Sequence, residues 1–440
     1  MNRRLGVALA LAAALSGCGV FKKGDNRPKT AVLGERIPVL NSESDASVEP
    51  ALADVPVTVP AAQANDSWAQ TGGNATKSMG NVALPATLSP GWSAAIPDVG
   101  PRQRLAAAPV IADGHLYLTD GGGTVHAFDV KTGARIWATE LDDTKKDRDV
   151  LFGGGVSVDS GHVYATDGRG DAAALDAATG KIQWKVRPGG PLRGAPGVGL
   201  GLVFVLSQDN QVFALKADNG QTQWTDSATL QTAGVFGVAA PAISNGTIVA
   251  GFSSGELSAL RYENGRIVWQ DQLSRTSITT SVSAISDIDA SPVIDAGKVY
   301  AIGQGGRMVA MDLFNGQRQW ELNIGGIATP WLAGEWLFTV TDDARLLCIA
   351  RSTGKVRWVT QLQHWRDPKN KNKTVGWYGP VLAGGRLMLV NTLGQLVEVG
   401  IDGKVGATRR VSKAGFYLGP VVADNMLALV DAKGRITTWR

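Results

Sequence analysis

From Ala107 onward, apolar and polar positions alternate in short runs, and the runs themselves recur. One unit reads Ala108-Pro109-Val110-Ile111, then His115-Leu116-Tyr117-Leu118, then Thr124-Val125-His126-Ala127-Phe128, and closes with Thr132-Gly133 and Arg135-Ile136-Trp137. Successive side chains of a strand point to opposite faces, so a period of two marks a half-buried sheet. Each unit is expected to be four short strands joined by glycine-containing turns. No long 3.6-residue period appears, which argues against a layered α/β architecture.

The spacing of the units carries the architecture. Pro109, Val156, Pro196, Pro241, Pro292 and Pro330 mark first strands, and Trp137, Trp184, Trp224, Trp269, Trp320 and Trp358 mark fourth strands. Within each pair the separation is 28 residues, whereas the step from unit to unit runs from 38 to 51. Length variation is confined to the connection leaving each unit, as in a propeller blade. A seventh unit starts at Pro380, with its turn one residue shorter and Ala407 where Trp is expected. An eighth starts at Pro420, and Trp439 follows 19 residues later, as Phe128 follows Pro109, so the chain stops after a third strand. Gly91-Trp92-Ser93-Ala94-Ala95-Ile96 carries an orphan fourth-strand Trp and would complete that unit, removing an exposed edge. The expectation is an all-β, eight-bladed β-propeller of four-stranded antiparallel blades over residues 67–440, closed by an N-terminal strand. Each tryptophan follows a glycine turn and is expected to wedge between neighbouring blades.

The start of the chain reads differently. Arg3 and Arg4 precede an apolar run from Leu5 to Leu15. A membrane span needs roughly 20 apolar residues, so residues 1–17 read as a signal peptide. Leu15-Ser16-Gly17-Cys18 looks like a lipobox, a signal whose cysteine is acylated and becomes the new N-terminus. Gly19 after that cysteine implies the outer membrane, facing the periplasm. Two or more acyl chains make a stable anchor at about 0.8 kcal/mol per buried methylene. Residues 18–66 read as the lipidated Cys and a flexible linker, with Pro28, Pro38, Pro50, Pro56 and Pro60 spread through it. Such a segment buries too little apolar surface to offset its ordering entropy. As a coil its ends would lie roughly 40 Å apart.

Composition adds few constraints. The net charge of +4 includes Arg3 and Arg4, so the processed chain is nearly balanced and nothing points to nucleic acid. The 55 glycines suit a turn-rich all-β domain. Cys348 is the only cysteine besides Cys18. It sits in an apolar strand and reads as a small core residue. His115, His126, His162 and His364 are scattered without ligand spacing, so no metal site is expected. Gly121-Gly122-Gly123 joins two strands and is a hairpin turn, not a phosphate cradle. The basic loop Arg366-Asp367-Pro368-Lys369-Asn370-Lys371-Asn372-Lys373 reads as solvated surface, with contact to anionic lipid or a partner as the alternative.

The repeat resembles that of the quinoprotein dehydrogenases, which use pyrroloquinoline quinone and calcium. That family implies an adjacent-cysteine disulfide and acidic calcium ligands. No Cys-Cys pair occurs here, so neither cofactor nor catalysis is expected. A polysaccharide-binding propeller is a further alternative.

Two connections between blades stand out. One contains Gly190-Pro191-Leu192-Arg193-Gly194, the other Ser286-Asp287-Ile288-Asp289-Ala290-Ser291-Pro292. Connections between blades emerge beside the hairpins joining second to third strands, so both are expected on one face, as exposed loops. Lipobox, tryptophan-docked repeats and these two loops together resemble the BamB family of outer-membrane assembly lipoproteins. That resemblance implies a non-catalytic scaffold of the BAM complex that assists insertion of β-barrel proteins, with unfolded outer-membrane proteins as candidate clients. It implies that Leu192, Arg193, Asp287 and Asp289 bind the periplasmic POTRA domains of BamA. Gly190 stands where that family is expected to have Leu, and the linker is longer.

Overall fold

Each sequence unit folds into one four-stranded antiparallel sheet, and the described residues form eight of them in a computed structural model. The structure describes residues 46–97, 105–141, 153–230, 239–273 and 286–440. The signal segment and Cys18 lie outside the described residues. Blade 1 spans 110–140, blade 2 154–186, blade 3 197–227, blade 4 242–272, blade 5 293–322, blade 6 331–361 and blade 7 377–410. Blade 8 combines 421–439 with the strand Pro90–Ala95 from upstream. That strand pairs antiparallel with Arg435–Trp439, so the expected closure is what the fold adopts.

Burial follows strand position. The first strand of blade 1, Val110–Ala112, is wholly buried, while its fourth, Arg135–Glu140, alternates exposed and half-buried. First strands of neighbouring blades lie against one another, so they line the central channel. The tryptophans do what their position suggests. Indole Nε1 of Trp92, Trp137, Trp184, Trp224, Trp269, Trp320 and Trp358 each donates to a carbonyl of the next blade, at 2.7–3.0 Å. Each ring also lies against a turn glycine of that next blade. At Gly133, φ is +73° and a Cβ would sit 2.5 Å from the Trp92 ring. The turn therefore needs glycine twice over, for its left-handed backbone and for the approach of the indole.

Ala407 now has a structural reason. Blade 8 has no turn between its third and fourth strands, because the chain passes there as two separate segments. Ser89 and Arg440 bond each other in both directions, at 2.6 and 2.9 Å. With no turn glycine to cover, blade 7 needs no indole.

The channel end opposite the inter-blade connections is filled by a strap, residues 65–82, that the repeat pattern does not reveal. It bonds every blade's first strand or the turn beyond it, in ring order. Asn65 holds Val422 and Asp424 of blade 8. Trp68 pairs with Ile111, Ala69 accepts from Val158, and the Gln70 side chain bonds Val198 both ways. Ala75 accepts from Ile243, Thr76 from Ile294, Gly80 from the Trp331 indole, and Val82 bonds Leu382 and Gly384 of blade 7. Innermost strands would otherwise leave backbone groups unpaired at an edge. Trp68 stacks on Trp331 at 5.7 Å, tying blade 1 to blade 6.

The expected free tether is corrected over 46–66. Val48 pairs in parallel with Val356, the Glu49 amide donates to the Val356 carbonyl at 2.8 Å, and Lys355 meets Glu49 at 2.7 Å. Arg357 donates to the Val55 carbonyl. This stretch cannot build a core of its own, but it exchanges hydrogen bonds with the open edge of blade 6. Within the described residues the one helical element is a 3-10 turn, Pro50–Leu52.

Candidate functional site at the channel mouth

The two inter-blade connections meet. The Leu192-Arg193 loop enters blade 3 alongside the hairpins of blades 2 and 3: the Leu192 amide donates to Asp167, that of Arg193 to Leu206, and that of Gln208 to Pro191. Its close approach depends on the run Gly153-Gly154-Gly155. A Cβ on Gly153 would lie 2.0 Å from the Leu192 carbonyl oxygen, and the Gly154 amide donates to Arg193 at 2.9 Å. The Asp287 loop enters blade 5 beside the hairpins of blades 4 and 5, with Ile288 bonded to Phe252 and Gln304 to Asp287.

Arg193 Nη2 donates to Asp287 Oδ1 at 2.7 Å and lies 3.6 Å from Asp289 Oδ1. First strands line the channel, so a contact between the approaches to blades 3 and 5 has to cross its mouth. Strap and ion cluster thus occupy opposite ends of the channel.

The cluster corrects the expectation of exposed loop residues. Relative exposure is 0% for Leu192, 1% for Arg193, 0% for Asp287 and 6% for Asp289. Ile288 and Leu192 pack into the blades on either side, which draws the charged side chains between them inward. A buried ion pair contributes little net stability, but losing one partner costs about 3–5 kcal/mol because the other charge is left stranded. These residues therefore fix the shape of the mouth more than they present themselves to solvent.

Desolvation pushes the Asp289 carboxyl up to about 7, with repulsion from Asp287 adding to it and Arg193 opposing. Asp342 adds to the same repulsion across the mouth, from the hairpin of blade 6, and burial raises its own pKa to about 6. Asp342 is not among the residues expected from the sequence for this cluster. The available signal was its hairpin position, which lies on the same face as the two loops.

Other candidates stay structural. His126 contacts Asp120 at 2.9 Å inside the blade 1 hairpin, and Asp120 also accepts the Gly122 and Thr124 amides that form that turn. Cys348 is fully buried, and desolvation raises its thiol pKa, so it is chemically quiet. Among the described residues no group of His, Cys, Asp or Glu is arranged to hold a metal ion.

Comparison with known proteins bears on the fold and the family. The family model described as outer membrane protein assembly factor BamB matches residues 82–151 and 121–360. The outer membrane protein assembly factor BamB of Escherichia coli is 30% identical over 331 residues, covering 74% of this chain and 81% of that protein. The Salmonella typhimurium protein of the same name is 30% identical over 329 residues, with 74% and 81% covered. Among solved structures, BamB from Moraxella catarrhalis superposes with a TM-score of 0.68 at 18% identity, covering 80% of this chain and all of that one. A quinohemoprotein alcohol dehydrogenase from Comamonas testosteroni reaches 0.66 at 16% identity, with 85% and 80% covered. At such identities the superpositions speak for the propeller alone, whereas the family model and the 30% relatives speak for descent, and the chain belongs to the family of outer membrane protein assembly factor BamB.

Proposed function

We propose that this chain is a non-catalytic scaffold of outer-membrane protein assembly, acylated at Cys18, held at the periplasmic face of the outer membrane, and docked on the periplasmic POTRA domains of BamA through the channel mouth. The observation that carries the docking reading is the Arg193–Asp287 contact, which joins two loops 94 residues apart into one rigid rim. Leu192, Arg193, Asp287 and Asp289 are the positions that the family motif assigns to the partner. Their burial gives them the part of shaping the rim, with Pro191 exposed beside them as a contact. Other BAM subunits are further partners, and unfolded barrel proteins are clients of the assembly.

Pro191→Glu places a charge on the rim without touching the cluster. It is expected to weaken binding to the BamA periplasmic fragment at least about tenfold, equivalent to 1.4 kcal/mol, with the melting temperature unchanged. Lys404→Glu, on a third-to-fourth-strand turn and so on the opposite face, should bind normally. Calorimetric titration decides it: wild-type affinity in Pro191→Glu would place the interface elsewhere.

A further inference from the structure

Between blades 6 and 7 the connection grows into a hairpin of its own, Trp365–Asp367 paired with Asn372–Thr374. The register sets Trp365 opposite Thr374 and Asp367 opposite Asn372, which places Arg366 opposite Lys373. Like charges directly across a strand pair destabilise it. Lys369 and Lys371 extend the cationic edge to the tip, and all four basic residues are exposed. None of the four has an ion-pair partner among the described residues. The one local acid, Asp367, is spent on the turn, accepting the Lys369 and Asn370 amides and the Asn370 side chain. Lys371 and Lys373 hold left-handed backbones, φ +49° and +56°, an unfavoured conformation for lysine. Local rules broken together without a compensating partner mark a surface shaped for something outside the chain.

The position says what that is. The hairpin follows directly on the outermost strand of blade 6, Val356–Gln361. The first residue of the same strand, Val356, is where the chain arriving from the N-terminus joins the body, through Val48 and Glu49. The first described residues, from Ala46, and the cationic ribbon therefore share a single edge strand. Trp365 at the root, stacked on His364 at 4.3 Å and half-buried, is the aromatic type enriched at membrane interfaces.

We propose that hairpin 365–374 rests on anionic phospholipid headgroups, so that blade 6 is the edge of the propeller turned toward the membrane. This rests on acylation of Cys18. Basic residues near an anionic surface are attracted to it additively, so four act together as a second anchor that also sets orientation.

The full acylated chain, reconstituted into vesicles, tests this by the rate of amine labelling at individual lysines. In vesicles containing phosphatidylglycerol, Lys369, Lys371 and Lys373 should label about fivefold more slowly than in pure phosphatidylcholine. Lys181, exposed on blade 2 across the ring, should label equally in both. About 1 M salt, which shortens screening to roughly 3 Å, should abolish the difference. Arg366→Glu with Lys371→Glu should abolish the protection of Lys369 and Lys373 without altering the melting temperature. Equal labelling in the two vesicle types, with the protein still floating, overturns the proposal. Protection that appears only when other assembly subunits are added to phosphatidylcholine vesicles also overturns it, in favour of an acidic protein. A chain that does not float at all refutes the anchor, and the proposal with it.

Discussion

Single residues here act mainly through what burial does to charge. Asp289 binds its proton more tightly in the folded protein, with a pKa of about 7 against an ordinary 3.8. The stability this contributes is complete below the unfolded value and is lost as pH rises through about 7. Melting temperature should therefore fall between about pH 4 and 7 and level off above, and Asp289→Asn, which cannot ionise, should flatten that fall. Parallel slopes in scanning calorimetry would dismiss the effect. Lys77 is the reverse case. It is 1% exposed within the strap, its Nζ has no hydrogen-bond partner among the described residues, and desolvation lowers its pKa to about 7. The folded state loses stability as pH falls from about 10.5 to 7, since only the unfolded chain accepts the proton freely. Lys77→Met should raise the melting temperature, by more at pH 7 than at pH 10. Neither shift announces itself in the sequence, because desolvation is a property of the neighbours and not of the residue.

Blades were legible as elements because their defining contacts are local. The fixed 28-residue interval from first-strand marker to tryptophan is one sheet's worth of chain, and the indole meets a glycine in the next repeat at a constant offset. Trp92 shows this at the closure, where its Nε1 bonds Val130 at 2.8 Å and its ring covers Gly133. Trp92→Ala should cost about 3 kcal/mol, the low end for truncating a large aromatic because the ring is only partly buried. Gly133→Ala should also destabilise, since its Cβ would strike the same ring at φ +73°. Denaturant unfolding of the two single variants and the double variant measures their coupling. Strictly additive losses would mean that ring and turn do not act as one contact. The loops were misjudged at this scale. Glycine, charge and variable length suggest an exposed connection, but Leu192 and Ile288 anchor both connections in the core and carry Arg193, Asp287 and Asp289 inside with them.

Across the whole molecule, ring closure depends on two devices: the strand Pro90–Ala95 and the strap that bonds all eight blades in turn. A chain starting at residue 61 loses the blade 6 edge contacts of Val48, Glu49 and Val55, the packing of Ala46, Val57 and Val59, and the Asn81 bond to the Pro60 carbonyl, and should melt a few degrees below the full chain. A chain starting at 84 loses the strap, including Lys77, and should melt far lower and with less cooperativity. Similar melting of both would show the strap to be passive. The sequence by itself determined the blade count, the strand order within each blade, the closing strand and the docking role of the tryptophans. These follow from periods and offsets that recur along the chain, and a recurring contact leaves a recurring mark. Only the tertiary structure decided the path of the strap, the pairing of residues 46–49 with blade 6, the burial of Arg193 with Asp287 and Asp289, and the addition of Asp342 to them. Each of those contacts occurs once, between residues tens to hundreds of positions apart, and once-only contacts leave no period to read.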